Sequence, residues 1–481
     1  MTCRMVALIF VASFGIESGF SQGWSQWLGA NRDGRAGDFT APKTWPKELK
    51  QKWKITVGEG VATPALVGGR LYVFSRQDGN EIVRCLNAVD GRELWSDKYE
   101  SLGASGPAQG FSGPRSSPAV AGGKVVTLGV RGMLSSLDAA TGKMLWRKDD
   151  FKAWPNFYPS SSPMIIGELA IAQLGGRENG AIAAYDLTSG EQKWKWSGPS
   201  PAYASPVLLT VDGMKLIVAQ TESKLVAINA ANGKLAWESA PASPEGGGGP
   251  GGPGGPAGGA EGGRGRGGGG GRDNKAATPI IDGQTIITAG RGLKAVKLQK
   301  DGDKLVGSEI WSNADKAVSF NTPLLKNGMI YGLTGNNELF CLHAKDGKLA
   351  WSAPLPGGAP AGAGPRAALE QLSLRPSAFG QVAPPDSADP NRPRGPGGPG
   401  GGGGRRGGGG GGGYGAIVDA GAVVLVLTPS AQLIVFEPDS KGFSQLASYK
   451  VSESQTHAYP IASGNRIFIK DKDSVALWTV E

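Results

Sequence analysis

One short stretch recurs along this chain with a constant internal spacing. An apolar strand end leads into Asp or Asn, then a small residue and a polar turn closing on Gly, with a Trp four residues after that Gly. It reads Leu86-Asn87-Ala88-Val89-Asp90-Gly91 with Trp95, Leu137-Asp138-Ala139-Ala140-Thr141-Gly142 with Trp146, and Tyr185-Asp186-Leu187-Thr188-Ser189-Gly190 with Trp194. It returns as Ile228-Asn229-Ala230-Ala231-Asn232-Gly233 with Trp237 and as Leu342-His343-Ala344-Lys345-Asp346-Gly347 with Trp351. Gly accepts a positive φ without a Cβ penalty, so each copy predicts a turn between two antiparallel strands, the second of which carries its Trp at the same depth. Each indole brings roughly 150–250 Å² of surface to one face of its hairpin. A single sheet cannot bury that many equivalent indoles, whereas a ring of similar sheets packed face to face can. Repeats of about 40–50 residues with four strands each predict a β-propeller.

A second marker counts the blades. Ser or Thr followed by Pro stands before a short apolar strand at Thr63-Pro64, Ser117-Pro118, Ser162-Pro163, Ser205-Pro206, Thr278-Pro279 and Thr322-Pro323, with Tyr459-Pro460 as a variant. A degenerate copy, Tyr414-Gly415-Ala416-Ile417, falls where one more is due. Pro suits the first residue of a strand, where no ladder donor is needed. The expected fold is therefore all-β, an eight-bladed propeller of four-stranded antiparallel blades. The last blade runs out of chain after Val475–Val480, and Lys52-Trp53-Lys54-Ile55 has the Trp-bearing strand character without a hairpin partner. The N-terminal strand is expected to complete the eighth blade, which removes two open edges.

The spacing between blade starts is 45 residues from Pro118 to Pro163 and 43 from Pro163 to Pro206, but 73 from Pro206 to Pro279. The excess there, and in the interval before Ala416, is Gly, Pro and Arg with almost no large apolar side chains. Residues 240–273 and 354–413 are expected to be disordered insertions in a ring spanning 51–481. Net charge is +9. Residues 357–413 hold six Arg against three acids and 245–272 three Arg against two, so much of the excess lies in these insertions. The mildly basic body argues against a nucleic-acid groove. The Arg-Gly runs at 262–267 and 404–407 leave RNA or polyanion binding as an alternative.

At the front, Arg4, the apolar run Met5–Phe14 and the small residues Gly19 and Ser21 predict a cleaved signal peptide over 1–21, too short for a membrane span. Cys3 would leave with it, which disfavours a lipid anchor, and no transmembrane segment is expected in the mature chain. The protein is expected to be exported to the periplasm, the cell envelope or beyond, and to be a monomer. Residues 22–50, with Trp24, Trp27 and Trp45, read as an extended leader packed on the outside or rim of the ring. Cys85 and Cys341 fall in the first and sixth blades and are expected to be buried free thiols.

The repeat x-Asp/Asn-Ala-x-Thr/Asp-Gly-Lys-x-x-Trp resembles that of the PQQ-like, quinoprotein-alcohol-dehydrogenase-like propellers. That family includes quinone-dependent dehydrogenases and the non-enzymatic outer-membrane assembly lipoprotein BamB. The resemblance implies that Trp53, Trp95, Trp146, Trp194, Trp237, Trp311 and Trp351 dock between neighbouring blades. It also implies, for the enzymes, a calcium-bound pyrroloquinoline quinone (PQQ), a catalytic Asp and often adjacent cysteines, and no Cys-Cys pair or matching acidic cluster is found in this sequence. No catalytic, cofactor-binding or metal-ligating residue is assigned.

The loops before the blade starts carry Glu59, Phe111, Arg115, Asn156, Tyr158, Tyr203, Phe320, Asn321, His457 and Tyr459, expected to ring a funnel mouth. Exposed aromatic, Arg and Asn side chains suit protein or glycan recognition. His343 occupies the turn position filled elsewhere by Asp or Asn and is expected to be structural. The functional expectation is an exported, non-catalytic scaffold holding a protein or envelope polymer at the funnel face. The alternative is a dehydrogenase using PQQ with calcium.

Overall fold

The computed structural model describes residues 23–239, 275–355 and 414–481. The expected signal peptide lies outside the described residues, as do the two Gly-rich insertions apart from Pro354 and Leu355, which still belong to or follow the strand Leu349–Pro354. The described chain forms eight four-stranded antiparallel sheets in a closed ring. Among the described residues the only helical turn is Gly106–Ala108, and no helix is long and apolar enough to cross a membrane.

Each of the first seven blades is a meander of four consecutive strands, as in blade 1 with Ala65–Val67, Arg70–Gln77, Asn80–Asn87 and Glu93–Glu100. The innermost strands are short and the middle two are apolar on both faces, because each is covered by a blade on either side. Phe74, Val83, Ile217, Val226, Ile434 and Val435 are completely buried. Blade 8 takes three strands from the end of the chain and its outer strand, Lys50–Thr56, from the front, paired antiparallel with Ser474–Thr479.

The indoles form the seams. Trp95 Nε1 donates to Ala139 O (3.2 Å), Trp146 to Leu187 O (3.1 Å), Trp194 to Ala230 O (3.1 Å) and Trp311 to Ala344 O (2.8 Å). Each acceptor is the residue after the Asp, Asn or His that opens the next blade's turn, and the indole lies over that turn's Gly. The neighbouring turn Gly therefore has two duties. It adopts φ of 68 to 77° at Gly91, Gly142, Gly190, Gly233 and Gly347, and a Cβ there would fall within 3 Å of the indole of Trp53, Trp95, Trp146, Trp194 or Trp311. Trp237 packs on mid-strand Gly307 instead, because the last two strands of blade 5, Leu293–Asp301 and Lys304–Asn313, run on past the usual turn position to a tighter turn at Gly302-Asp303. Trp351 donates to Asp439 O of blade 7 (2.8 Å). The constant spacing within the repeat follows: at the five seams built on a turn glycine, Trp must reach its neighbour's turn at the same height. The opening Asp steadies the turn as well. Asp138 Oδ1 accepts from Ala140 N, Thr141 N and Thr141 Oγ1 at 3.1, 2.9 and 2.8 Å, which holds its carboxyl below the usual range.

A second circuit runs around the inner rim. Backbone N–H groups at the blade starts donate to the next hydroxyl: Thr63 to Ser117 (3.0 Å), Ser117 to Ser162 (2.9 Å), Ser162 to Ser205 (2.9 Å) and Thr278 to Thr322 (3.0 Å). Blade 7 begins with Tyr414-Gly415 and offers no such hydroxyl. The gap is bridged by Tyr459, whose hydroxyl accepts from Thr322 N (3.1 Å) and whose own N–H donates to Thr63 Oγ1 (2.9 Å). Ser and Thr therefore precede the Pro to supply an acceptor to the neighbouring blade.

The leader departs from expectation. It runs through the centre of the ring and not along its outside or rim. Leu66 N and Val120 N, on the innermost strands of blades 1 and 2, donate to Trp24 O and Ser25 O (2.8 Å each). Arg32, 4% exposed, reaches blades 3 and 4, donating to Pro206 O (2.7 Å), Ser162 O (3.3 and 3.4 Å) and Pro163 O. The leader then pairs with blade 7 through Ala36 N and Asp419 O (2.8 Å), and with blade 8 through Thr40 N and Gly464 O (2.8 Å), before entering the strand at Lys50. The physical reason is that short inner strands present their edge carbonyls and N–H groups to the axis, and a chain segment satisfies them better than a dry void would. Arg32 meets only neutral carbonyls and Gln26, and burial pulls its pKa down to about 9.

Two outcomes are expected. Gly190→Ala combines strained backbone with a Cβ 2.7 Å from Trp146 Cγ and should destabilise by roughly 2–4 kcal/mol. Gly213→Ala has a similar φ of 81° but no atom within 4 Å, and should cost only about 1 kcal/mol in urea unfolding; equal losses would refute the seam. Arg32→Ala strips charged donors from buried carbonyls and should cost roughly 2–4 kcal/mol, with faster tryptic cleavage at Arg35. Unchanged cleavage would show that Arg32 does not anchor the leader.

Candidate functional site

A concave pocket of about 270 Å³ opens at the face of the ring where the blade-start loops converge. It is built from the loops before all eight blades and from the leader. Phe111 and Arg115 come from the loop before blade 2, Tyr203 from that before blade 4, Phe320 and Asn321 from that before blade 6, and His457 and Tyr459 from that before blade 8. Trp27 of the leader closes the bottom, edge-on to Tyr459 at 4.9 Å and donating from Nε1 to Thr278 Oγ1 (2.9 Å).

The walls are aromatic. Phe320 stacks on Tyr414 at 4.5 Å and 14°, and His457 meets Phe111 (4.9 Å, 88°) and Tyr414 (5.0 Å, 73°) edge to face. Phe157 lies against Tyr203 at 6.0 Å, its backbone N–H donating to the Tyr203 hydroxyl (3.2 Å). Phe157 and Phe320 remain 42% and 40% exposed, so the rim presents apolar surface to solvent. Asn321 is fixed in the wall by its Nδ2 donating to Leu333 O (2.9 Å).

A guanidinium and an imidazole stand among these rings. Arg115 Nη2 donates to Ala108 O (3.1 Å) and Phe111 O (2.9 Å), which ties down the loop. Burial lowers its pKa, and the ionisable groups around it are Tyr414, Tyr158 and Tyr203. Burial also pulls His457 down to about 4, so at neutral pH it is an uncharged imidazole.

Seven of the ten residues expected at the funnel thus line one pocket. Three stand elsewhere. Glu59 pairs by a backbone bridge with Arg76 and accepts from Ser112 Oγ. Asn156 is exposed and does not line the pocket. Tyr158, at φ 66°, is buried against Trp154 at 5.9 Å, with its hydroxyl 2.8 Å from Ser105 Oγ. Sequence spacing placed these three in loops of the right face, but Tyr158 turns back into a cluster with Ala104, Ala108 and Val130, and Glu59 is held at Arg76 and Ser112. Conversely, the sequence reading missed Trp27, Phe157 and Tyr414 as pocket walls. Tyr414 had a legible signal, an isolated aromatic where the usual Ser/Thr-Pro is replaced.

The side chains do not fit a calcium-bound quinone. Among the described residues no carboxylate lines the pocket, whereas calcium takes six to eight oxygens including carboxylates. Among the described residues no cluster of three or more His, Cys, Asp or Glu could hold a metal. Cys85 and Cys341 are buried free thiols in separate blades, raised by burial to about 11 and about 12. A separate axial cavity of about 230 Å³ beside the leader is lined by Arg32, Asp33, Arg35 and the inner strands of blades 4 to 7.

The family described as outer membrane protein assembly factor BamB matches residues 44–149, 78–249 and 300–372. Among curated proteins, the chain is similar to the quinohemoprotein alcohol dehydrogenase of Comamonas testosteroni, 29% identical over 157 residues, 31% of this chain and 22% of that protein. It is also similar to BamB of Bordetella pertussis, 25% identical over 204 residues, 41% of this chain and 47% of that one. The matched region thus spans less than half the length of either relative. Among solved structures, BamB of Moraxella catarrhalis superposes with a TM-score of 0.51 at 13% identity, over 90% of this chain and 99% of that one, a likeness of fold. Because the family match takes in more than half of the chain, on the same repeat that builds the indole seams, this protein belongs to the PQQ-like propeller family described by BamB.

Proposed function

We propose that this protein is an exported, non-catalytic propeller scaffold that holds a protein partner at its funnel face, in the assembly of outer-membrane proteins or a related envelope process. The observation that carries the reading is the pocket itself: aromatic walls with exposed Phe157 and Phe320 at the rim, one guanidinium, one neutral imidazole and, among the described residues, no carboxylate, while the lining hydroxyls of Ser160 and Ser205 are engaged with Tyr203 O and Ser162 N. Aromatic and Arg side chains at the centre of a concave, water-excluding surface are the composition of protein-recognition hot spots. General acid–base or covalent chemistry requires a base within hydrogen-bond reach of a nucleophile. The relative named an assembly factor supports the envelope setting; export itself rests on the N-terminal segment Met1–Ser21.

The second reading, a quinone-dependent dehydrogenase, is favoured by the similarity to the Comamonas enzyme. It is opposed by the lack of a donor set for calcium in the pocket. The third, polyanion binding by the Arg-Gly insertions, falls outside the described residues.

The test is a photo-reactive residue placed at Phe320 on the funnel rim, or at Asn327 in the turn between the strands Leu324–Lys326 and Met329–Leu333 on the other face. The expected result is a discrete envelope-protein adduct from position 320, absent from 327 and lost with Tyr414→Ala. Equal or no adducts at both positions would refute the scaffold reading. Stoichiometric uptake of PQQ with calcium, with dye-linked alcohol oxidation, would replace it by the enzyme.

A further inference from the structure

The pocket contains more hydrogen-bonding capacity than its own walls satisfy. Arg115 Nη1 and both ring nitrogens of His457 are enclosed yet have no partner. Arg115 is held from behind by the two carbonyls it does reach, so its second amino group is fixed in place. An enclosed donor on a charged group without an acceptor is among the more costly states a folded protein can hold. A neutral imidazole contributes one further donor and one acceptor. What is missing is a compact anion with acceptor oxygens.

Shape restricts that anion. The bottom of the pocket is closed by Trp27 and Tyr459, with the leader filling the axis beneath, so nothing can thread through. About 270 Å³ accommodates one large side chain with its carboxylate, and the rings of Phe111, Phe320 and Tyr414 favour an apolar or aromatic one. An internal Asp or Glu would need the chain to enter and leave a blind pocket. A chain end enters once.

We infer that this pocket takes the free C-terminal carboxylate of a polypeptide whose last residue is large and apolar, with the carboxylate on Arg115 and His457 and the side chain between the aromatic walls. The preceding residues of the bound chain cross the rim at Phe157 and Phe320. This rests on the funnel face being a binding surface, and it specifies what is bound there. A free aromatic carboxylate shares the same chemistry, and length dependence separates the two sources.

The experiment is calorimetric titration of the full chain with four probes: a hexapeptide ending in Phe with a free carboxylate, the same peptide amidated, acetyl-phenylalanine, and its amide. The expected order is free-ended hexapeptide tightest, at least tenfold over its amide, and at least tenfold over acetyl-phenylalanine. With Arg115→Gln the acid-to-amide ratio should fall toward one, while Arg115→Lys should keep part of it. The wild-type acid-to-amide comparison needs no variant, so a misfolded Arg115→Gln does not shield the idea. Equal binding of acid and amide, no binding at millimolar peptide, or no gain from acetyl-phenylalanine to hexapeptide would overturn it; the last would assign the site to a small carboxylate. If position 320 still gives its crosslinked adduct while these titrations fail, only the chain-end inference falls and the scaffold stands.

Discussion

The ring depends on one contact repeated from blade to blade, an indole lying on a neighbouring glycine. Burying an indole of about 200 Å² is worth roughly 5 kcal/mol at most, and at the six seams where the indole lies on a glycine a Cβ there would collide with it, while Trp351 packs on blade 7 beside Phe443 without one. At the five seams built on a turn, the same glycine must take a positive φ to close its own hairpin. Two independent constraints thus fall on a single residue, which explains why Gly142, Gly190 and Gly233 keep a fixed distance to Trp146, Trp194 and Trp237 within their own repeats. Trp on one blade and Gly on the next are parts of a single joint, and the repeat length is the spacing of joints around the circle.

Closure of the circle uses the chain's own front end twice. The strand Lys50–Thr56 supplies the outer edge of blade 8, and its Trp53 makes the eighth blade's joint with Gly91 of blade 1. Ahead of that strand, the leader satisfies inner-strand groups of blades 1 and 2 and, through Arg32, carbonyls of blades 3 and 4. One continuous segment therefore links the axis of the ring to its perimeter. It also determines what the funnel can be: because Trp27 and the residues after it occupy the axis, the open face is a blind pocket and not a pore.

The same scaffold occurs in a protein named for membrane-protein assembly and in a quinohemoprotein dehydrogenase, so the ring by itself does not select a chemistry. The selection lies in a handful of side chains at the funnel. Arg115 and His457 stand there among Phe111, Tyr414 and Phe320, and among the described residues no ligand set for calcium joins them. The loop that carries Phe111 and Arg115 runs from Ser101 to Pro118 and is tied back on itself by Arg115 to Ala108 O and Phe111 O, next to a blade start held in the hydroxyl circuit.

The all-β class, the number of blades, the docking positions of the Trp residues and the use of Lys52-Trp53-Lys54-Ile55 to complete blade 8 were legible in the sequence, because each is a local signal repeated at a fixed interval. Repetition turns a weak hairpin cue into a strong one. Seven funnel residues were likewise found from their place before a blade start. The path of the leader, the hydroxyl relay from Thr63 to Ser205, and the parts played by Trp27, Phe157 and Tyr414 were decided only by the tertiary structure. The physical reason is that these depend on which backbone groups the closed ring leaves unsatisfied at its axis. No such groups exist until all eight blades are in place, and a segment without periodicity, such as residues 23–49, carries no mark of where it will be needed.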